Sequence, residues 1–185
     1  SLPPRTTICG MIAAIIGIDK SEYIKYFTKD QADIAVRIMR PVKKVRIGYN
    51  YIETKNADQY MAKFNNHTPV NVEFVKDPAY RIYISHKNKD ISDKLKTYLE
   101  NHQCVYTLCM GLSECIANYK YAGEWNMENV SGNEGTLIHS VIPLSQIEGF
   151  EMKMGGEYFK ETMPNEMDIS REILEYKVLL YERKG

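Results

Sequence analysis

Two prolines followed at once by a helix-periodic apolar run constrain this chain more than any other stretch of it. Pro3 and Pro4 hold the backbone extended and cannot continue a helix from upstream. Beyond them Ile8, Met11, Ile12, Ile15 and Ile16 recur at helical spacing, which predicts a helix with one broad apolar face that other elements must cover. Gly10, Ala13 and Ala14 give it a smooth flank where a second backbone can approach. Thr6 and Thr7 are the candidate N-caps, since either hydroxyl can accept a hydrogen bond from a free first-turn N–H. Arg5 then stands at the positive end of the helix dipole, and the two together suit an anion such as a phosphate. The alternative reading is a buried helix with its arginine in solvent.

A second short helix is expected from Asp19 to Phe27. At Ile34 the apolar period shortens to two. Ile34, Val36 and Ile38 alternate with Ala35, Arg37 and Met39, which predicts a strand that Pro41 interrupts. In the next run Val45, Ile47, Tyr49 and Tyr51 take one face and Lys44, Arg46, Gly48 and Asn50 the other. Tyr49 and Tyr51 are therefore expected in the core, as is Trp125, the single tryptophan. Lys55 to Thr68 is polar and reads as a long excursion from the sheet, of the kind that is functional or disordered in compact domains. Pro69–Phe74 and Tyr80–Ser85 predict two more strands across a Lys76-Asp77-Pro78 turn. A helix opens at Asp90 or Ser92 with Ile91, Leu95, Tyr98 and Leu99 on its face. Cys104–Leu108, Leu137–Ile142 and Tyr176–Tyr181 are strand-like, and Gly111-Leu112-Ser113-Glu114 is a turn.

Helix, strand, excursion, strand, helix, strand is a β-α-β-β-α-β unit without its first strand. The expected class is thus α+β and ferredoxin-like (RRM-like), with an antiparallel sheet and helices on one face. On this reading residues 1–104 form the core, with an insertion at about 53–71, and 105–185 form a β-rich C-terminal part. The length of 185 residues suits one domain, and 44% hydrophobic residues suffice for its core. Lysine plus arginine equals aspartate plus glutamate, 24 each, so a polyanion would have to be held by a local patch. Cys9, Cys104, Cys109 and Cys115 contain no CxxC pair; free thiols in a reducing cytoplasm are expected, and no metal site. The apolar run Ile8–Ile18 is too short to span a bilayer. Met154-Gly155-Gly156 is a glycine turn without phosphate-loop spacing, and no cofactor is expected.

Four stretches resemble one known family, in its order: Pro3-Pro4-Arg5-Thr6-Thr7 with Gly10, Ala13, Ala14 and Gly17; Ile34-Ala35-Val36-Arg37; Glu73-Phe74 with Lys76-Asp77-Pro78-Ala79-Tyr80-Arg81-Ile82-Tyr83; and Gly111-Leu112-Ser113-Glu114. Met163-Pro164-Asn165-Glu166-Met167 is a weaker match. The chain resembles the CRISPR-associated Cas-five family, closest to its type I-B branch. That resemblance implies a RAMP fold, a backbone subunit of the Cascade complex in antiviral defence, and non-catalytic binding of the 5′ handle of crRNA. It implies contacts with the neighbouring backbone subunit and the large subunit, and no membrane. Family members carry a strand and loop ahead of the Pro-Pro-Arg-Thr-Thr segment, which this sequence lacks.

Binding unpaired RNA requires cations or free N–H groups for phosphates and flat partners for bases. Ile34 to Ile52 holds Arg37, Arg40, Lys43, Lys44 and Arg46 and no acid, the densest one-signed region in the chain. Lys44, Arg46 and Asn50 share a strand face, so either a basic strip or an ordinary solvated face is expected. Arg5, Thr6 and Thr7 are expected to add to the site. Lys55–Thr68 takes the place of the family's thumb, where Tyr60, Phe64 and His67 would wedge or stack. The alternative function is a metal-independent endoribonuclease processing CRISPR repeat RNA, for which His67, His86, Tyr49 and Lys44 are the available groups. A generic RNA-recognition module would carry aromatic signatures on two central strands, and no such pair is apparent.

Overall fold

The computed structural model describes residues 2–52, 67–126 and 137–184. Within them the chain is α+β, built from small antiparallel sheets and three α-helices. Helix α1 (Arg5–Ile16) is the centre of the main core. Ile8, Cys9, Ile12, Ala13, Ile15 and Ile16 are buried along it, as the apolar spacing anticipates. Its start differs from expectation. Pro4 is the N-cap and no side chain caps the helix, so Thr6 and Thr7 fall inside the first turn. Proline has no N–H to leave unsatisfied and its fixed φ suits entry into a helix. At the other end Gly17 takes the left-handed conformation at φ 75°, where a Cβ would lie 2.8 Å from Val105 Cγ2. A glycine is required there both for φ and for space.

Helix α2 (Tyr23–Tyr26) turns the chain into β1 (Ala32–Ile38). Strands β2 (Lys43–Ile52) and β3 (His67–Lys76) form a ten-rung hairpin from Lys43↔Lys76 to Ile52↔His67. Strand β4 (Tyr80–His86) returns antiparallel to β1. Among the described residues β1 and β4 pair only with each other as strands, and so do β2 and β3. Ile34 and Val36 of β1 and Ile82 and Ile84 of β4 pack on the α1 core together with Ile91, Leu95, Tyr98 and Leu99 of α3 (Lys89–Glu100). Helix α3 opens at Asn88, two residues before Asp90 and four before Ser92, the two expected starts. Asn88 caps it, its Oδ1 accepting from the N–H groups of Asp90 at 2.9 Å and Ile91 at 3.4 Å.

The C-terminal part is a third sheet in the order β5 (Ile142–Pro143), β7 (Ile173–Glu182), β6 (Tyr158–Met167). Ile38, Val42, Met163, Tyr181 and Leu2 form a second buried cluster where it meets the end of β1. Reciprocal bonds tie the junction: Val42 N–H donates to Arg183 O at 2.9 Å and Arg183 Nε to Val42 O at 2.8 Å.

Several expectations are corrected. Cys104–Leu108 is not a strand; the N–H groups of Val105 and Tyr106 donate to the C-terminal carbonyls of α1, Ile15 and Ala14, which draws the segment across the helix end. Leu137–Ile142 contributes only Ile142 to a strand, and Leu137 is exposed. Strand β6 was not anticipated. Of the residues assigned to the insertion, 67–71 belong to β3, and 53–66, which include Tyr60 and Phe64, lie outside the described residues. Tyr51 is 46% exposed, Tyr49 is half-buried, and Trp125 is 58% exposed, so none of the three sits in the core. Alternation correctly places Tyr49 and Tyr51 on an apolar face, but among the described residues no second sheet covers that face of the β2–β3 hairpin.

Candidate nucleic-acid interface

Residues directly opposite in an antiparallel pair share a face. The β2–β3 hairpin therefore has two unlike sides. One carries Lys44, Arg46, Gly48, Asn50 and Ile52 with Val75, Glu73, Asn71, Pro69 and His67 respectively opposite. The other carries Val45, Ile47, Tyr49 and Tyr51 with Thr68, Val70, Val72 and Phe74. On that second side Tyr51 stacks on Tyr49 at 6.1 Å between ring centroids, and Tyr49 meets Phe74 at 5.6 Å, giving a short aromatic ladder. Val45, Ile47, Tyr51 and Val70 remain exposed beside it.

Lys44 and Arg46 share one side of the hairpin, where Glu73 partly neutralises both. Lys44 Nζ lies 2.7 Å from Glu73 Oε1, and Arg46 Nε lies 3.6 Å from Glu73 Oε2. The hydrogen bond from Lys44, helped by its charge and that of Arg46, holds the Glu73 carboxyl below its ordinary range, and the same bond raises the Lys44 ammonium. Two cations thus share one carboxylate. Lys43 stands opposite Lys76 at the foot of the hairpin, and Arg40 is exposed in the link from β1.

Arg37 belongs to a different surface. It lies on β1 directly opposite Arg81 of β4. Both point away from the helices, since their strand neighbours Val36 and Ile82 face the α1 core. Ala35 and Tyr83 are the next pair on that outer face, and Trp125 meets Tyr83 edge-on at 6.2 Å. Neither arginine makes an ion pair among the described residues, and Arg37 Nε is buried with no hydrogen-bond partner there. Sequence reasoning did not select Arg81, Tyr83 or Trp125. The outward parity of Arg81 and Tyr83 was a signal, but the register that sets Arg81 against Arg37 is a long-range property.

Arg5 does not join either surface. Its Nη1 donates to Phe27 O at 3.0 Å and Asn165 O at 3.4 Å, and its Nη2 to Thr28 O at 3.0 Å and Ala32 O at 2.8 Å. The guanidinium ties α1 to the α2–β1 turn and to β6. Thr6 and Thr7 are half-buried beside it. Cys9, against the same wall, has its thiol pushed up to about 11, chiefly by burial. The structure therefore brings together Lys44, Arg46 and Asn50, places Arg37 on a separate sheet, and spends Arg5 on carbonyl groups.

Of the groups named for cleavage, His67 shares the Lys44 side of the hairpin, while His86 is engaged elsewhere. His86 Nδ1 accepts from the Asn88 N–H at 3.0 Å, which leaves the proton on Nε2, and that nitrogen contacts Tyr26 O at 2.8 Å. Neither ring nitrogen is left for a substrate. Tyr49 and Lys44 lie on opposite sides of the hairpin. Among the described residues no group of three or more histidine, cysteine, aspartate or glutamate side chains is placed to hold a metal ion, and no helix is long and apolar enough to cross a membrane.

No curated protein matches the sequence. A family model described as CRISPR-associated protein (Cas_Cas5) matches residues 1–176, which takes in all three α-helices, the hairpin and most of the C-terminal sheet. Family membership carries with it a role as a Cascade-type subunit that binds crRNA and other subunits in antiviral defence. With nearly the whole chain inside that match, the protein belongs to the CRISPR-associated Cas-five family.

Proposed function

We propose that this chain is the non-catalytic subunit that caps the 5′ handle of crRNA, with the β2–β3 hairpin as its projecting thumb. The observation that carries the reading is the two-sided hairpin: a cationic side for phosphates and an aromatic, apolar side on which Val45, Ile47, Tyr51 and Val70 stay exposed. A two-stranded ribbon is marginal alone, so its exposed apolar face favours a partner, here the neighbouring backbone subunit. The β1–β4 pair with α1 and α3 on one face supports a ferredoxin-like palm. The large subunit, the type I-B branch and a cytoplasmic location complete the proposal on the strength of the sequence resemblance.

The test is purification from a host with an active CRISPR array, followed by sequencing of the retained RNA. A uniform repeat-derived 5′ end is the expected result; RNA of random ends would reject handle capture. Nuclease function is the weaker reading because His86 is engaged at both nitrogens. Cleavage of repeat RNA in EDTA that His67→Ala abolishes would reverse that judgement.

The carboxylate in the strip offers a sharper measurement. Glu73→Gln releases Lys44 and Arg46 from their shared counter-charge. Affinity for repeat-derived single-stranded RNA is expected to rise severalfold, with the logarithmic salt dependence steeper by about 0.7 per phosphate gained. Lys44→Ala with Arg46→Ala shifts both in the opposite direction. An unchanged salt slope in both variants would remove the strip from the RNA contact.

A further inference from the structure

We infer that the outer face of the β1–β4 sheet is a second RNA contact, in which Arg37 and Arg81 hold one backbone phosphate while Tyr83 and Trp125 receive an adjacent unpaired base. The inference rests on the crRNA-binding role proposed above and adds to it a site distinct from the hairpin.

The first observation is electrostatic. Arg37 and Arg81 are in direct register across an antiparallel pair, so their side chains leave the sheet side by side. Like charges placed this way repel and destabilise the pair. A carboxylate beside the pair would relieve the repulsion. Among the described residues none does: Asp33, the nearest acid on that face of β1, lies two pairs further along opposite Ser85 and forms no ion pair with either arginine. Arg37 Nε is in addition removed from solvent without a protein acceptor among those residues. Two adjacent guanidinium forks with donors unspent match the oxygens of one phosphate, whose geometry accepts paired N–H donors.

The second observation is aromatic. Tyr83 is the next outward residue after Arg81 on β4, and the residue opposite it is Ala35, whose small side chain does not cover the ring. Trp125 meets Tyr83 edge-on yet remains 58% exposed. An exposed indole held in place by a tyrosine is a stacking surface for an unpaired base, and single-stranded RNA offers a phosphate and a base at neighbouring positions. A partner protein's carboxylate would satisfy the arginines but makes no use of a preset aromatic pair, which favours RNA.

The test uses the full chain and a short single-stranded RNA copied from the 5′ end of the CRISPR repeat. Arg81→Ala is expected to weaken binding about tenfold and to flatten the logarithmic salt slope by about 0.7. Trp125→Ala is expected to weaken binding by a similar factor with no change of slope, because stacking releases no counterions, and Trp125→Phe to restore most of it. Trp125 is exposed, so that variant stays folded even if removal of an arginine disturbs the sheet. RNA affinity and slope unchanged in both alanine variants, while Lys44→Ala with Arg46→Ala still weakens binding, would overturn this site and leave the hairpin reading standing. Arg81→Ala that spares RNA and instead breaks co-purification with another subunit would assign the face to protein and also overturn it. A wild-type chain that binds no repeat RNA would overturn both readings.

Discussion

Replacing Arg5 by alanine is expected to lower the unfolding free energy by about 3 kcal/mol, in the range for hydrogen bonds made by a charged group. The guanidinium donates to the carbonyls of Phe27, Thr28 and Ala32 at 2.8–3.0 Å and reaches Asn165 O at 3.4 Å. Alanine removes all of these donors from a half-buried site; Thr28 O keeps the N–H groups of Gln31 and Ala32, but Phe27 O is left with the weak thiol donor of Cys9 at 3.8 Å, and an acceptor left short carries its own desolvation cost. Lysine recovers only part of the loss, since one ammonium cannot reach acceptors spread over a planar fork. Urea unfolding measures the difference. The control is the salt dependence of RNA binding at a temperature where the variant is folded, which is expected to stay at the wild-type slope. A flattened slope with no loss of stability would return Arg5 to the RNA site that its place at a helix start first suggested.

Ile8→Ala should cost more, about 3–5 kcal/mol, because the side chain is completely buried (0% exposed) in the centre of the α1 core and its removal leaves a cavity the neighbours cannot fill. The informative comparison is Ile47→Ala on the hairpin. Ile47 is 45% exposed, so the same chemical change there should alter stability by less than about 1 kcal/mol. If the apolar side of the hairpin docks on the neighbouring backbone subunit, Ile47→Ala weakens co-assembly while leaving the melting temperature in place. Ile8→Ala lowers the melting temperature and affects assembly only through it. Equal destabilisation by the two would mean that the hairpin face is buried within this chain, and the thumb reading would fail.

The Arg5 and Ile8 cases show where local sequence carries information and where it stops. The helical spacing of Ile8, Ile12, Ile15 and Ile16 located α1 and its buried face. The two-residue alternation of Ile34, Val36 and Ile38 and of Ile82 and Ile84 located β1, β4 and the faces they turn to the core. These are consequences of backbone geometry within a few residues, so the sequence displays them directly. Arg5 was placed correctly at the start of a helix, yet its acceptors lie 22 to 160 residues away, and their arrival consumes the donors that an anion would have used. Tyr49 and Tyr51 were placed correctly on an apolar face, but apolar alternation states which side a residue takes and not whether another layer covers it. The end of α1 took the N–H groups of Val105 and Tyr106, so a segment with strand character became an irregular crossing.

The candidate site divides in the same way. The cluster of Arg37, Arg40, Lys43, Lys44 and Arg46 was legible as a run of one sign, and the strand parity of Lys44, Arg46 and Asn50 followed from period two. The register that sets Glu73 against Arg46, and Arg81 against Arg37, was not, because hydrogen-bond pairing between strands is decided by turn length and by the layer each strand packs on. Composition, period and residue order alone determined the α+β class, the helix at the centre of the core and the basic character of one region. Tertiary structure decided which of those cations keep their donors free, since a charge is cancelled or left open only by the groups that folding brings beside it.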